Sequence, residues 1–288
     1  MNSYRIITDT GCDISPELLK EWGVGCVDLT FRFDGETRDF SNSEISSHDF
    51  YQKMRDGGVS KTAAINPQTF IQNFEPVLQG GEDVFYLSFS SGLSTTYNAS
   101  CMAAEELMEK YPERKVITVD SLCASAGQGL ALYFTVEEAK KGLSIEELAA
   151  AVQEKLLHIC HWFTVDDLVY LKRGGRVSAA AAFVGGVLDI KPVLHVDNEG
   201  HLISMSKVRG RKQSLKGLFA QYEELALDRE NGVYFISHGD CLDDALALEA
   251  MIEKKYGNKA TVITDIGAVI GSHSGPGTLA LFFLGEHR

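Results

Sequence analysis

Serine and threonine residues crowd a short stretch that follows an apolar run at residues 83–89. Ser90, Ser94, Thr95 and Thr96 belong to this stretch, which also holds a glycine and leads into a segment with helical character. A helix start leaves about four backbone N–H groups without intrahelical partners and carries roughly half a positive charge. Because hydroxyl groups beside a helix start suit an anionic head group, the stretch predicts an anion-binding turn.

Ser94 is also a candidate nucleophile. Ser94 and His273, with Asp120 or Asp265 between them, keep the Ser…Asp…His order of the α/β-hydrolases. The nucleophile elbow G-x-S-x-G needs a glycine where Thr96 stands, and the chain has no H-G-G-G segment for an oxyanion hole. A serine esterase that uses Ser94 and His273 is therefore the alternative function, and it is the less favoured one.

The sequence contains no pattern typical of a nucleotide-binding or metal-binding site. Neither G-x-x-x-x-G-K-[ST] nor G-x-G-x-x-G occurs, so a nucleotide site is not predicted. The histidine, cysteine and acidic residues have no metal-ligand spacing, so no metal and no cofactor are expected. The six cysteines form no C-x-x-C pair, and we expect them to be reduced thiols.

The distribution of charge narrows the class of partner. The formal net charge of −13 over 288 residues argues against a general nucleic-acid binder. Residues 172–216 nevertheless hold nine basic and three acidic residues, which indicates a solvated basic face or a docking surface for an acidic partner. No window reaches the ~18 apolar residues of a membrane span, and the first residues do not resemble a signal peptide. We therefore expect a cytoplasmic protein.

Strand patterns that lead into helical patterns organise the first half of the chain. This alternation predicts a mainly parallel sheet with ligands at the carboxyl ends of its strands. Helices are expected after an N-cap at Ser15, from a start near Asn66, and after a capping box that begins at Ser144, and a hairpin is expected at Asp34 and Gly35. The other predicted elements are strands at residues 4–8, 27–33, 37–40, 83–89 and 115–119, and helices at residues 48–55, 67–78, 96–111, 125–141 and 144–158.

The second half predicts another α/β unit. Its strands are expected at residues 162–165, 192–196, 201–208, 233–237 and 260–264, and its helices at residues 166–171, 179–188, 213–227 and 243–256. We therefore predict an α/β fold with two α/β domains, an N-terminal domain at residues 1–158 with the mainly parallel sheet and a C-terminal domain at residues 159–288. The ligand is expected to be buried at or near their interface.

Four ordered segments resemble the DegV family, whose members include the fatty-acid-binding subunits of bacterial fatty acid kinase. These segments are residues 61–63, 90–97, 165–178 and 266–277, and residues 207–210 fit as well. A single motif of this kind would be weak, but the ordered set spans nearly the whole chain. The chain is therefore similar to this family as a whole.

The resemblance implies a long-chain fatty acid, such as palmitate, in a buried tunnel. It implies that Thr62 and Ser94 hold the carboxylate and that Arg209 and His273 lie near the head group. It further implies a binding protein that performs no chemistry itself and presents the acyl group to a separate kinase, which phosphorylates the carboxylate with ATP. A transient contact with membranes is left open, and no integral membrane segment is expected.

The two ends of such a ligand would contribute differently to binding. Each hydrogen bond to a charged group contributes about 1.5–3 kcal/mol. A tail of about fourteen CH₂ groups contributes on the order of 11 kcal/mol before ordering costs. We expect the head group to fix orientation and the tail to supply affinity. The tunnel is expected between the domains or inside the second, where residues 179–188 offer small side chains.

Arg176 follows two glycines in the segment that carries the third motif. We interpret this arginine as structural. Its expected partners are backbone carbonyl groups or a carboxylate such as Asp9 or Asp120, each of which ends a predicted strand.

Overall fold

The computed structural model describes residues 3–177 and 189–288, and the helix predicted at residues 179–188 lies outside this part. Its strands are β1 (Tyr4–Asp9), β2 (Gly25–Val27), β3 (Thr30–Phe33), β4 (Phe40–Ser41), β5 (Ser60–Ala63), β6 (Asp83–Ser88), β7 (Val116–Asp120), β8 (Ile159–Thr164), β9 (Ile190–Val196), β10 (Leu202–Arg209), β11 (Tyr234–His238), β12 (Val262–Asp265) and β13 (Leu279–Leu284). Its helices are α1 (Pro16–Glu21), α2 (Ser47–Arg55), α3 (Pro67–Gln79), α4 (Thr96–Lys110), α5 (Ala126–Ala139), α6 (Ile145–Leu156), α7 (Val169–Arg173), α8 (Arg211–Leu225), α9 (Leu242–Tyr256) and α10 (Ala268–Ser274).

The first sheet is parallel, as the sequence predicts. Its strand order is β2-β1-β6-β7, and every neighbouring pair in it is parallel. The helix start signals are also confirmed, because Ser15, Asn66 and Ser144 accept hydrogen bonds from backbone N–H groups in the first turns of α1, α3 and α6. The carboxyl ends of β1, β6 and β7 meet at one edge, where the hydroxyl-rich turn follows β6.

The second sheet is larger and mostly antiparallel, with the order β10-β9-β8-β13-β11-β12. Only β11 and β12 pair in parallel among its described strands. Strand β13 was not predicted from the sequence, although it lies at the centre of the sheet between β8 and β11. Its residues form a continuous apolar run, and a fully buried strand gives no alternating pattern.

Helix α5 lies between the two sheets. It packs against β8, β11 and β13 of the second sheet, and its side chains share one core with Phe85 and Leu87 of the first. Most residues of α5 are buried, as expected for a helix with sheets on both sides. The domain boundary proposed at residue 158 falls in the short connection between α6 and β8.

A third, small sheet has the order β4-β3-β5 and carries Thr62. The predicted hairpin is present, because β3 and β4 pair in antiparallel fashion around Asp34 and Gly35. The prediction of a single strand at residues 27–33 was wrong. It divides between β2 of the parallel sheet and β3 of the small sheet, where the Leu29 N–H donates to the Thr10 hydroxyl.

Helix α10 belongs to the second half of the chain but packs on the first. Ile266 and Val269 share a core with Phe50 and Tyr51 of α2. The Tyr51 hydroxyl donates to the Ile266 carbonyl oxygen at 2.9 Å, and the Gly267 N–H donates to the Asp13 carboxylate at 2.9 Å. These contacts fix the position of α10 beside β5.

Candidate functional site

A cavity of about 360 Å³ lies between the two halves of the chain. Thr62, Ser94 and His273 all line it. Most of its other lining residues are apolar, and they come from both halves: Leu29, Phe89, Phe163, Leu171, Val196, Leu202, Ala280 and Phe282. The structure therefore brings three of the predicted site residues to one mainly apolar cavity.

Four less buried polar residues mark the more open end of the cavity, whereas Ser125, Ser274 and Thr278 of the lining are buried. Thr62, Ser94, Arg176 and His273 are half-buried, and the exposed Ala63 lies beside them in the lining. The opposite end is closed by buried side chains, namely His161, Val196, Ala280 and Phe282. A ligand with a polar head group and an apolar tail would therefore bind with its head group at the open end and its tail at the closed end.

Thr62 and His273 form the central hydrogen bond of the polar end. The Thr62 Oγ1 and His273 Nε2 atoms are 2.8 Å apart. Thr62 is placed by β5, whereas His273 is in the last turn of α10. A second pair, Ser60 and Ser272, joins the same two elements with their Oγ atoms 2.7 Å apart. Two hydrogen bonds between β5 and α10 therefore fix the position of Thr62 relative to His273.

Ser94 lies in the turn before α4. Its Oγ atom accepts a hydrogen bond from the Thr96 N–H at 3.2 Å and lies 2.8 Å from the Thr96 hydroxyl. The Asp120 carboxylate holds the same turn by accepting from the Ser91 N–H. The turn is therefore a rigid platform, and the Ser94 hydroxyl lies at the cavity wall.

The hydrolase triad is not assembled by these contacts. His273 Nε2 is bonded to Thr62, and His273 Nδ1 has no hydrogen-bond partner among residues 3–177 and 189–288. Asp120 accepts from backbone N–H groups, and Asp265 lies 3.5 Å from a different histidine, His238. Without an acid behind it, His273 lacks the group that would orient it as a general base.

Arg176 reaches the polar end of the cavity. Its guanidinium donates to the carbonyl oxygens of Leu93 and Gly174, so the predicted backbone partners are confirmed. The suggested carboxylate partners were wrong, because Asp9 and Asp120 bond to other groups. Arg176 was not predicted from the sequence as a cavity residue, although the two glycines before it are typical of a close approach of the backbone.

Arg209 lies elsewhere. It ends β10, is exposed, and is absent from the described cavity lining. Its neighbour Arg211 turns instead toward Asp244, at 2.8 Å. The structure does not bring Arg209 to the polar end, and its role near a head group stays a prediction.

Electrostatics keep the histidine of the site neutral. Burial, and secondarily the charge of Arg176, lower the pKa of His273 to about 4. At neutral pH the imidazole therefore carries one N–H group and no charge. Gly174 packs against its Nδ1 atom, where a Cβ would come within 2.2 Å. The positive charge at this end comes from Arg176.

No cluster of potential metal ligands occurs within the described ranges. In the same part of the chain, no helix is both long and apolar enough to cross a membrane.

The fold and the cavity define a two-domain α/β protein with a buried, mainly apolar ligand cavity. Residues 3–286 match the model of the DegV family, and the chain belongs to this family. A DegV domain-containing protein of Clostridium perfringens is 42% identical over 289 residues, which cover 100% of this chain and 99% of that protein.

Solved structures agree with this assignment. A DegV family protein from Thermus thermophilus, described as binding fatty acid, is 28% identical with a TM-score of 0.87, and the match covers 99% of this chain and 100% of that one. A stearic-acid-binding protein from Eubacterium ventriosum is 25% identical with a TM-score of 0.88, and the match covers 98% of each chain. The family predicted from the sequence motifs is therefore confirmed.

Replacing Arg176 with methionine should raise the pKa of His273 from about 4, because the nearby positive charge is removed. The pKa should stay below its ordinary value of 6.5, since burial is the larger cause. NMR titration of the imidazole protons, assigned with His273→Gln, measures the change. Arg173→Met, an exposed neighbour, is the matched control and should leave the titration unchanged. An unaltered pKa in Arg176→Met would contradict this electrostatic description.

Proposed function

We propose that this protein binds a long-chain fatty acid, such as palmitate, in the cavity. In this proposal the Thr62 and Ser94 hydroxyls hold the carboxylate, and the apolar lining receives the tail. The observation that carries the proposal is the hydrogen-bonded pair of Thr62 and His273 at the open end of a mainly apolar cavity. The fatty-acid-binding relatives from Thermus thermophilus and Eubacterium ventriosum support the same ligand class.

The histidine prepares the threonine to donate. A neutral His273 that donates its Nε2–H to Thr62 Oγ1 leaves the threonine proton free for a carboxylate oxygen. Ser94 would supply a second donor from the turn, and Arg176 would supply positive charge at the same end. Charge-assisted hydrogen bonds of this kind are about twice as strong as neutral ones. The carboxylate would therefore bind in its ionised form.

The tail would supply most of the affinity. The cavity volume of about 360 Å³ is within the usual range of ligand pockets, roughly 300–1,000 Å³. Each CH₂ group that leaves water contributes about 0.8 kcal/mol. The buried Phe163, Val196 and Phe282 offer the apolar surface that such a chain needs.

The same geometry favours a protein that binds the fatty acid without catalysing a reaction. A histidine with a pKa of about 4 is a weak base at neutral pH, and its ring is bonded to Thr62 instead of Ser94. We infer that the protein is a binding subunit and that it acts in the cytoplasm, where a separate ATP-dependent kinase phosphorylates the carboxylate. The carboxylate would face the open end, where such a partner could reach it.

Basic residues of α7 and α8 form our proposed docking surface. Lys172 and Arg173 extend from α7, which packs on α10, and Lys212 and Lys216 extend from α8. Asp166 connects the two regions, because it lies within ion-pair distance of both Lys191 and Arg211. The docking surface comprises Lys172, Arg173, Lys212 and Lys216, all exposed. An acidic face on the kinase would be complementary to it.

Thr62→Val and Ser94→Ala should each weaken fatty acid binding about tenfold or more, because each removes a hydrogen bond to a charged group. Thr62→Ser keeps the hydroxyl and should retain most of the affinity. Titration of delipidated protein with palmitate measures all three. Unchanged affinity in both Thr62→Val and Ser94→Ala would contradict the proposed clamp. Ester turnover that Ser94→Ala abolishes would support the hydrolase instead.

Arg173→Glu combined with Lys212→Glu should slow acyl-phosphate formation by an added fatty acid kinase, because it reverses charge on the docking surface. Palmitate binding should be unaffected, since neither residue lines the cavity. Lys20→Glu combined with Lys254→Glu makes the same charge change on other exposed positions and is the matched control. Equal rates of acyl-phosphate formation in the two double variants would contradict this docking surface.

A further inference from the structure

Two aspartates lie on either side of the strand that leads into the serine-rich turn. In the parallel sheet, β6 lies between β1 and β7, and these two strands end at Asp9 and Asp120. Asp120 is the register partner of Ser88, the last residue of β6. Asp9 follows Thr8, whose register partner is Leu87. Both carboxyl groups therefore lie level with the start of the turn.

Each aspartate accepts a hydrogen bond from the backbone of this turn. The Phe89 N–H donates to Asp9 Oδ2 at 2.9 Å. The Ser91 N–H donates to Asp120 Oδ1 at 3.1 Å. The first residues of the turn are therefore held by side chains from both neighbouring strands.

Ser90 connects these contacts to the proposed clamp. It lies between Phe89 and Ser91 in the chain. Its carbonyl oxygen accepts from the N–H groups of Leu93 and Ser94, each at 3.1 Å. The position of the Ser94 hydroxyl at the cavity wall therefore depends, through Ser90, on the two aspartates.

Asp9 is 0% exposed and uses both of its carboxyl oxygens. Its Oδ2 atom accepts from the Phe89 N–H and the Tyr86 hydroxyl. Its Oδ1 atom accepts from the Gly11 N–H and the side-chain amide of Gln128. Each oxygen faces one backbone N–H, which can only donate. An asparagine at position 9 would therefore place its NH₂ group against a donor in either orientation.

Asp120 is half-buried and uses a single oxygen for the turn. Its Oδ1 atom accepts from the N–H groups of Ser91 and Leu122, both at 3.1 Å. The carbonyl oxygen of an asparagine can accept the same two hydrogen bonds, whereas alanine removes them. The two positions should therefore respond differently to asparagine.

We propose that Asp9 and Asp120 are positioning residues for head-group recognition, because they hold the serine-rich turn from both sides and so place the Ser94 hydroxyl against the carboxylate. This inference rests on the proposed fatty acid site and adds two residues that act through Ser94. Neither aspartate belongs to the described cavity lining. Loss of either contact should therefore weaken recognition of the carboxylate and leave burial of the tail unchanged.

A comparison of palmitate with hexadecan-1-ol tests this inference. The two ligands have the same number of carbon atoms, but only palmitate has a carboxylate. Titration of delipidated protein gives both dissociation constants, and the ratio of the hexadecan-1-ol Kd to the palmitate Kd measures head-group recognition. Asp9→Asn and Asp120→Ala should each lower this ratio about tenfold, whereas Asp120→Asn should retain it.

Double variants show whether the aspartates act through Ser94. In the Ser94→Ala background, Asp120→Ala should cause no further fall in the ratio, because the hydroxyl that it positions is absent. In the Thr62→Val background, the same substitution should still lower the ratio, because Thr62 is placed by β5. Asp120→Ala, at the less buried position, decides the inference if Asp9→Asn is not recovered in folded form.

Asp83→Ala is the matched control. Asp83 lies at the opposite end of β6, is 2% exposed, and accepts from the Lys115 N–H at 3.1 Å. Its substitution removes a comparable hydrogen bond from the same strand and should leave the ratio unchanged. A loss of stability alone would change the affinities for both ligands equally.

An unchanged ratio in Asp120→Ala, together with a lowered ratio in Ser94→Ala, would overturn this inference and leave the proposed function intact. A fall caused by Asp120→Ala that persists in the Ser94→Ala background would also overturn it, because the aspartate would then act through another group. Wild-type protein that does not prefer palmitate to hexadecan-1-ol would overturn the proposed function itself.

Discussion

The hydrogen bond between Thr62 and His273 is the interaction on which the rest of this site depends. It joins a strand of the first half to a helix of the second half, and it lies at the polar end of a mainly apolar cavity. Polar groups in such surroundings are costly unless they are paired, so β5 and α10 must keep a fixed position relative to each other. The hydrogen bond between Ser60 and Ser272 and the hydrogen bond from Gly267 to Asp13 hold α10 in this position.

This constraint separates binding from catalysis. In a hydrolase, the histidine would contact the serine and would be oriented by an acid. Here the ring contacts a threonine, its other nitrogen has no partner in the described residues, and burial with Arg176 lowers its pKa to about 4. In the proposed function, a neutral ring of this kind would position a hydroxyl donor, and Arg176 would supply positive charge. The same proposal puts the head group at the more open end of the cavity, where a kinase could reach it.

The sequence predicted the local features well and the long-range ones poorly. The parallel sheet, the caps at Ser15, Asn66 and Ser144, and most helices follow from periodicity and short-range hydrogen bonds. Neither the central place of β13 nor the packing of α10 on the first half could be derived, because both depend on contacts between distant segments. For the same reason Arg176, and not Arg209, reaches the cavity. Chain-order motifs identify residue types, whereas tertiary packing decides which of them meet.

The most direct measurement is a crystal structure of the protein with bound palmitate. The account predicts carboxylate oxygens about 2.5–2.9 Å from the Thr62 and Ser94 hydroxyl oxygens, with the tail extending toward Phe282. A palmitate whose carboxylate lies at the closed end, or outside this cavity beside Arg209, would contradict it.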